Sequence, residues 1–293
     1  MIGTKGHRHN GPDGLTSGQV VPSTLGLVAG LLLINPRSGA RRSGPTAEEL
    51  RTEAERRGIA TRVLGEDEDP VELARSAEAD VLGIAGGDGS VASVAAVAVE
   101  RDLPLVCIPA GTRNHFARDL GLDVDDPLHA LDAFNGGERR VDVGRAGERR
   151  FLNNVSLGLY ATLVHRREHH RRRRQALAGA RALWLSLSDR REVWARLDGE
   201  PVNARVLLVA NNAYELSLYS VGERARLDEG RLHVYTAAGW LPNHWQERTG
   251  EQFTIEAPGP LEAAVDGEPA TLEPPLELAI EPGALRVLLP RPG

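Results

Sequence analysis

The sequence predicts an α/β domain followed by a mainly antiparallel β domain. Its length of 293 residues exceeds the usual core of one domain, and 41% of the residues are hydrophobic, enough to form a packed core. In the first half, short apolar runs alternate with amphipathic stretches, whereas strand-like segments separated by Gly and Pro fill the second half. These observations favour two domains of different architecture.

The chain begins with a segment, residues 1–24, that is rich in Gly, His, Ser and Thr. It lacks the charged and then apolar layout of a secretory signal, so we expect a disordered tail. The first domain is predicted over 25–140, with strands at 31–34, 61–64, 81–85 and 105–108 and helices at 46–57, 71–79, 90–100 and 114–120. This order indicates a doubly wound parallel sheet, in which ligands bind beyond the carboxyl ends of the strands.

The second domain is predicted over 141–285 and is expected to be β-sandwich-like. Residues 286–293 are a candidate final strand that rejoins the first domain. One long helix is predicted at 160–187, and it carries an arginine run. The strand-like segments are 151–157, 204–210, 231–236, 253–257, 276–280 and 285–289.

Composition and charge restrict the class of protein. The formal net charge of −6 argues against a nucleic-acid partner. Cys107 is the only cysteine and lies in an apolar run, so we expect no disulfides, a reducing compartment and a buried thiol. Lys5 is the only lysine, which excludes a Walker-type phosphate site. No apolar stretch reaches the roughly 18–20 residues of a spanning helix, so we expect a soluble or peripheral protein. Together with the reducing compartment, this leads us to expect a cytoplasmic protein, peripheral at the inner membrane face.

Three loops that follow predicted strands carry the candidate chemistry. Glycines let a backbone approach a phosphate closely, and the following helix offers its N-terminal dipole. Asp88 adds a carboxylate for Mg²⁺ or for a hydroxyl, and Asn114 could either bind a ligand or cap a helix. A single Gly-rich turn can be only a tight connection, but three in register favour a nucleotide site. The loops are 35–39, 86–90 and 111–114.

These motifs resemble the diacylglycerol kinase catalytic-domain family, which includes sphingosine kinases and bacterial lipid kinases. The resemblance covers about residues 28–290. The matching motifs, in order along the chain, are Asn35-Pro-Arg-Ser-Gly39, Gly86-Gly-Asp-Gly-Ser90, Pro109-Ala-Gly-Thr-Arg-Asn114, Val141-Asp-Val-Gly144, residues 151–158 and Asp266-Gly-Glu268. The order and spacing of the motifs are more specific than any one motif.

The resemblance implies a lipid kinase with ATP in the cleft between the domains and Mg²⁺ near Asp88. It implies Glu268 as the catalytic base, although sphingosine-kinase-like members assign that role to the loop aspartate, here Asp88. Asp-Gly is also the strongest short hairpin signal, so Glu268 could lie in an ordinary turn. The residues expected to bind the nucleotide are Asn35, Ser38, Gly39, Gly86, Gly87, Asp88, Gly89, Ser90, Gly111, Thr112 and Asn114.

Some positions depart from the family pattern. His115 stands where the family usually has Asp, which puts the usual metal geometry in doubt, and Ser90 replaces the commoner Thr but keeps its hydroxyl. Glu229 stands where some members hold a structural Mg²⁺ through Asp, which makes it a weak candidate metal ligand.

The partner is expected to be a lipid at the inner membrane face, with Arg171, Arg172, Arg173 and Arg174 as a candidate contact for anionic headgroups. The alternative interpretation of that run is a solvated helix face. The oligomeric state is left open, with a homodimer as one option. Two other functions remain: a kinase for a soluble acceptor, NAD-kinase-like or phosphofructokinase-like, and a nucleotide-binding regulatory protein without transfer activity.

Overall fold

The fold is known from a computed structural model of the chain. It describes residues 29–38, 44–158, 193–215, 224–237 and 245–291. The predicted tail at 1–24 and the predicted long helix at 160–187 lie outside these ranges. Within them the chain forms one ten-stranded and one six-stranded β-sheet. None of the helices found there is long and apolar enough to cross a bilayer.

The first part of the chain alternates strands and helices, as predicted. Thr46 opens the first helix with a capping box to Glu49, and Asp69 caps the second through the N–H of Val71. In order, the elements are β1 Gly30–Ile34, α1 Ala47–Arg56, β2 Ala60–Val63, α2 Pro70–Ser76, β3 Val81–Gly86, α3 Asp88–Glu100, β4 Leu105–Pro109, α4 His115–Asp119 and a 3₁₀ helix at His129–Asn135.

The rest of the described chain consists of strands. They are β5 Gly137–Ala146, β6 Arg149–Phe151, β7 Asn154–Gly158, β8 Val193–Leu197, β9 Glu200–Ala204, β10 Val206–Asn211, β11 Leu232–Ala237, β12 Gln246–Gly250, β13 Gln252–Glu256, β14 Leu261–Val265, β15 Glu268–Leu272 and β16 Leu276–Leu289.

The ten-stranded sheet contains the parallel strands of the first part. Its order is β2-β1-β3-β4-β16-β13-β8-β9, with β5 and β6 attached through β16. Leu32 packs with α1 and the 3₁₀ helix on one face, while Leu33 packs with α2, α3 and α4 on the other. Helices therefore cover both faces, which confirms the doubly wound α/β fold.

The six-stranded sheet is antiparallel throughout and runs β12-β11-β10-β7-β14-β15. It faces β13, β16 and their neighbours across an apolar core that includes Phe151, Leu157, Leu207, Phe253 and Leu278. This packing of two sheets confirms a mainly antiparallel second half.

Strand β16 connects the two parts of the fold. Val287 pairs with Leu105 of β4 in parallel, and the same strand pairs with β5 and β13 in antiparallel fashion. The chain thus returns to the first sheet near its end, and β5 crosses the predicted boundary between residues 140 and 141. The exact domain limits stay a prediction.

Several strands differ from expectation. The segment predicted as one strand at 151–157 is divided into β6 and β7, because backbone N–H groups between them donate to Asp266. The segments predicted at 276–280 and 285–289 form one strand, β16, whose register against β5 shifts between Glu281 and Leu285. The prediction missed β5, β8, β9, β12, β14 and β15.

Candidate functional site

The three candidate loops follow β1, β3 and β4, which are parallel neighbours in the sheet. Their side chains meet at the carboxyl ends of these strands. Asn35 Nδ2 donates to Ser90 Oγ at 2.9 Å, and the hydroxyls of Ser38 and Ser90 are 3.4 Å apart. The first loop is thereby joined to the start of α3. Gly39, also predicted here, lies outside the described residues.

The second and third loops touch through their backbones. The N–H of Ala110 donates to the carbonyl of Gly86 at 3.2 Å. A Cβ added to Gly111 would lie 2.3 Å from Cα of Gly87, and one added to Gly86 would lie 2.7 Å from Cβ of Ser90. Glycine is required at Gly111 because the two backbones approach too closely for a side chain, and at Gly86 because the side chain of Ser90 occupies the space.

Asn114 shapes the third loop. It adopts a left-handed conformation with φ of 52° and is buried. Its Oδ1 accepts from the N–H of Gly111 at 2.8 Å, and its Nδ2 donates to the carbonyl of Gly111 at 3.1 Å. Asn114 is the N-cap residue of α4 by position, but its side chain makes no capping hydrogen bond to that helix. Its contact with a ligand stays a prediction.

Asp88 is the first residue of α3, two residues before the predicted start of that helix. Gly87 is the N-cap, so the motif is half loop and half first helical turn. Oδ1 of Asp88 accepts from the N–H of Phe116 at 3.2 Å, which ties α3 to α4. Thr112 lies in the third loop and His115 is the first residue of α4, and both are exposed.

Cys107 lies on β4 beneath these loops. Burial, together with the nearby charge of Asp88, raises the pKa of its thiol well above the usual range. A thiol that stays protonated is a poor nucleophile. Cys107 is therefore a buried packing residue, in line with its position in an apolar run.

The residues around Asp88 fit a Mg²⁺ ion held mainly by phosphate oxygens. Over the described ranges, no group of three or more His, Cys, Asp and Glu side chains is placed to enclose a metal. Mg²⁺ is usually bound through one or two carboxylates plus substrate phosphates, and Asp88 supplies one carboxylate at the N-terminus of α3.

Glu229, the weaker metal candidate, is engaged in protein contacts. Its Oε2 accepts from the N–H of Ala213 at 3.1 Å and lies 3.1 Å from Nε2 of His233. The other ring nitrogen of His233 is 2.6 Å from Glu247. A structural Mg²⁺ at Glu229 stays a prediction.

The second sheet brings Glu268 to the second candidate loop, residues 86–90. Glu268 begins β15, directly after the turn that joins it to β14. A Cβ added to Gly89 would lie 2.7 Å from Oε1 of Glu268. Asp266 and Gly267 have φ values of 48° and 82°, as a tight two-residue hairpin turn requires. Glu268 is thus both in a hairpin and in contact with the site.

Asp266 holds this turn in place. Its carboxylate accepts from the N–H groups of Leu152 at 2.8 Å, Asn153 at 2.7 Å and Asn154 at 3.1 Å. Burial raises the pKa of Asp266 to about 6, against the opposite influence of these donors and of Arg224. The Asp-Gly pair predicted a turn, but nothing local predicted which backbone groups the carboxylate of Asp266 would bind.

Asp142 of the Val-Asp-Val-Gly motif is structural. It is buried, and its carboxylate accepts from the N–H groups of Gly230 at 2.7 Å and Gly283 at 2.8 Å. It thereby holds the segment of β16 where the register against β5 shifts, between Glu281 and Leu285.

The basic run Arg171–Arg174, a candidate contact for anionic headgroups, lies outside the described residues.

A buried ion pair beside the site was missed by the sequence analysis. The side chains of Arg224 and Asp119 are 0% and 3% exposed, with NH2 and Oδ2 2.6 Å apart. The partners are 105 residues apart in the chain. Neither residue belongs to a motif that the sequence analysis recognised, so no local signal could have paired them.

Comparison with known proteins finds similar sequences. Residues 29–146 match the model described as the diacylglycerol kinase catalytic domain. A curated protein named diacylglycerol kinase from Mycobacterium tuberculosis is 27% identical over 313 aligned positions, which cover 95% of this chain and 100% of the relative. A probable lipid kinase YegS-like from Pseudomonas aeruginosa is 28% identical over 291 positions, covering 89% of this chain and 94% of the relative.

The fold has relatives among solved structures. A crystal structure described as a diacylglycerol kinase from Bacillus anthracis superposes with a TM-score of 0.65. The two chains are 18% identical, and the match covers 89% of this chain and 97% of the other. At this identity the likeness supports the fold alone.

Proposed function

We propose that the chain is an ATP-dependent lipid kinase, a proposal supported by the match of residues 29–146 to the diacylglycerol kinase catalytic-domain model. The observation that carries the proposal is the contact of Glu268 with Gly89. It brings a carboxylate from the second sheet against a glycine loop of the first. Phosphoryl transfer to a hydroxyl needs both a phosphate-binding loop and a group that accepts the hydroxyl proton.

The three loops supply the nucleotide site in this proposal. The first turn of α3 presents backbone N–H groups without partners in the helix, and its dipole favours a negatively charged ligand. The hydroxyls of Ser38, Ser90 and Thr112 lie in the same loops and can donate to phosphate oxygens. Because Lys5 is the only lysine, backbone groups and hydroxyls carry this role here.

Glu268 is the proposed catalytic base. It orients the acceptor hydroxyl and takes its proton as the hydroxyl oxygen forms a bond to the γ-phosphorus. The bond between that phosphorus and the β,γ-bridging oxygen breaks, and ADP leaves. Asp88 is assigned to the metal instead, since it opens α3 at the phosphate loop. A Mg²⁺ ion bound there would neutralise charge on the phosphates.

A lipid acceptor requires contact with a membrane surface. We place this contact at Arg171–Arg174, with the protein at the cytoplasmic face of the membrane. Each arginine near an anionic surface contributes about 1 kcal/mol of attraction. Replacing the four arginines with glutamine should therefore release the protein from vesicles that contain anionic lipid, as measured by co-sedimentation. Undiminished binding would reject this assignment.

The direct test of the function is transfer of label from γ-³²P-ATP to lipid. Purified protein, Mg²⁺ and mixed micelles of bacterial lipid extract are incubated, and the organic phase is separated by chromatography. We expect a labelled lipid with wild-type protein. Glu268→Gln should reduce kcat by about 10²–10⁴-fold, the usual contribution of a general base, while ATP affinity is kept.

The matched control is Glu262→Gln, an exposed glutamate on β14 of the same hairpin. It should keep wild-type turnover. Unchanged turnover in Glu268→Gln would exclude Glu268 as the base. Absence of labelled lipid, with ATP binding shown separately, would favour a soluble acceptor or a regulatory protein.

A further inference from the structure

The guanidinium of Arg224 joins parts of the protein that are distant in sequence. Nε donates to Oδ2 of Asp119 at 2.8 Å, NH1 donates to the carbonyls of Leu152 at 2.6 Å and Asn211 at 2.9 Å, and NH2 donates to Oδ1 of Asn153 at 2.8 Å. A guanidinium has a fixed fork of five N–H donors, so these contacts fix its partners relative to one another.

The segment between β6 and β7 is held from two directions. Arg224 binds the carbonyl of Leu152 and the side chain of Asn153. Asp266 binds the N–H groups of the same two residues and that of Asn154. The position of Arg224 therefore sets the position of Asp266, and with it the turn that precedes Glu268.

The other end of the network reaches the phosphate loop. Asp119 is the last residue of α4, a helix of only five residues. Near the start of the same helix, the N–H of Phe116 donates to Asp88 at the phosphate loop. Side-chain and backbone contacts thus run from Asp88 through α4, Asp119 and Arg224 to Asp266, and return to the loop where Glu268 contacts Gly89.

We propose that the Arg224–Asp119 ion pair is a positioning device that holds the Glu268 carboxylate in register with the phosphate loop. This inference rests on the proposed function of Glu268. Arg224 acts through the turn at Asp266-Gly267. Its side chain donates to Asp119 and to the segment between β6 and β7, and Asp266 accepts from the N–H groups of that segment. Catalytic groups held by such a network keep the sub-ångström alignment that efficient proton transfer requires.

The test is a double-mutant cycle between Arg224→Gln and Glu268→Gln. In the wild-type background, Arg224→Gln should lower kcat by about 10–100-fold, the usual effect of losing such a supporting contact. The KM for ATP should change little, because no loop residue is removed. In the Glu268→Gln background the same substitution should have almost no effect on kcat, since there is no base left to misalign.

Two further variants and a control complete the design. Arg224→Lys keeps the charge but lacks the fork, so it should recover only part of the lost kcat. Asp119→Asn keeps an oxygen acceptor for Nε and serves if the arginine variants do not fold, as judged by circular dichroism. Arg196→Gln removes an exposed arginine that lies 3.5 Å from Glu256 and should leave kcat unchanged.

The outcomes separate this inference from the function on which it rests. Equal loss of kcat from Arg224→Gln in both backgrounds, or a change confined to the KM for ATP, would overturn the positioning role while leaving Glu268 as the base. Unchanged turnover in Glu268→Gln alone would overturn both. If none of the three variants at Arg224 and Asp119 folds, the pair serves stability only and the proposal fails.

Discussion

The backbone around Gly111 leaves no space for a side chain, which makes this residue a sensitive probe of the proposed nucleotide site. A Cβ there would meet backbone atoms of Gly87, which cannot move without displacing the second loop. We expect Gly111→Ala to lower the free energy of unfolding by about 1–3 kcal/mol. Because the displaced loop belongs to the proposed nucleotide site, we also expect ATP binding to weaken, by about 5–150-fold for a coupling of the same size.

Calorimetric titration with ATP measures this effect. The control is Gly137→Ala, at the start of β5, where an added Cβ would meet no atom within 4 Å. ATP affinity of Gly111→Ala equal to that of the control would show that the second and third loops do not need this contact.

The roles of residues could be predicted from the sequence only for residues that lie in a recognised motif. The loop residues Asn35, Ser38 and Ser90 were expected together and are hydrogen-bonded or close to one another. For Glu268, the residues alone favoured an ordinary turn, and the family resemblance was needed to propose catalysis. Arg224 and Asp119 carried no signal, because a pair that forms across 105 residues depends on the packing of the whole chain.

At the level of elements, the hairpin turn at Asp266-Gly267 has a matched counterpart. The turn Asp198-Gly199 between β8 and β9 has φ values of 52° and 78°, against 48° and 82° for Asp266-Gly267. Neither glycine has an atom within 4 Å of an added Cβ, so alanine at either position is opposed only by its backbone conformation. That cost is about 1–2 kcal/mol for each.

We therefore expect Gly267→Ala and Gly199→Ala to lose similar free energies of unfolding in urea denaturation. Only Gly267→Ala should also lower kcat, because its turn sets the position of Glu268. Equal kcat values in the two variants would contradict the link between this turn and catalysis.

Elements were predicted well where one periodicity dominated. The buried strands β1, β3 and β4 are short apolar runs, and α1 lies within the amphipathic stretch predicted as a helix at 46–57. Strand β5 was missed because its first half, Gly-Glu-Arg-Arg, is polar and mostly exposed. Strand β12 has four exposed residues of five and gives no apolar signal.

For the whole molecule, the proposed site depends on both sheets. The ten-stranded sheet carries the three candidate loops, and the six-stranded sheet brings Glu268 to them through the β14–β15 hairpin. The sequence predicted both architectures and a candidate final strand at 286–293 that rejoins the first domain, and Val287 pairs with Leu105 of β4. It did not predict that the same strand also pairs with β5 and β13, because these pairings depend on the packing of the whole chain.

The most direct measurement of the proposed lipid kinase function compares γ-labelled with α-labelled ATP in the lipid transfer assay, with ADP formation followed in parallel. For a lipid kinase, we expect label in the organic phase only from γ-labelled ATP, in an amount equal to the ADP formed. ADP formed without labelled lipid, or label transferred from the α-position, would contradict the proposed reaction.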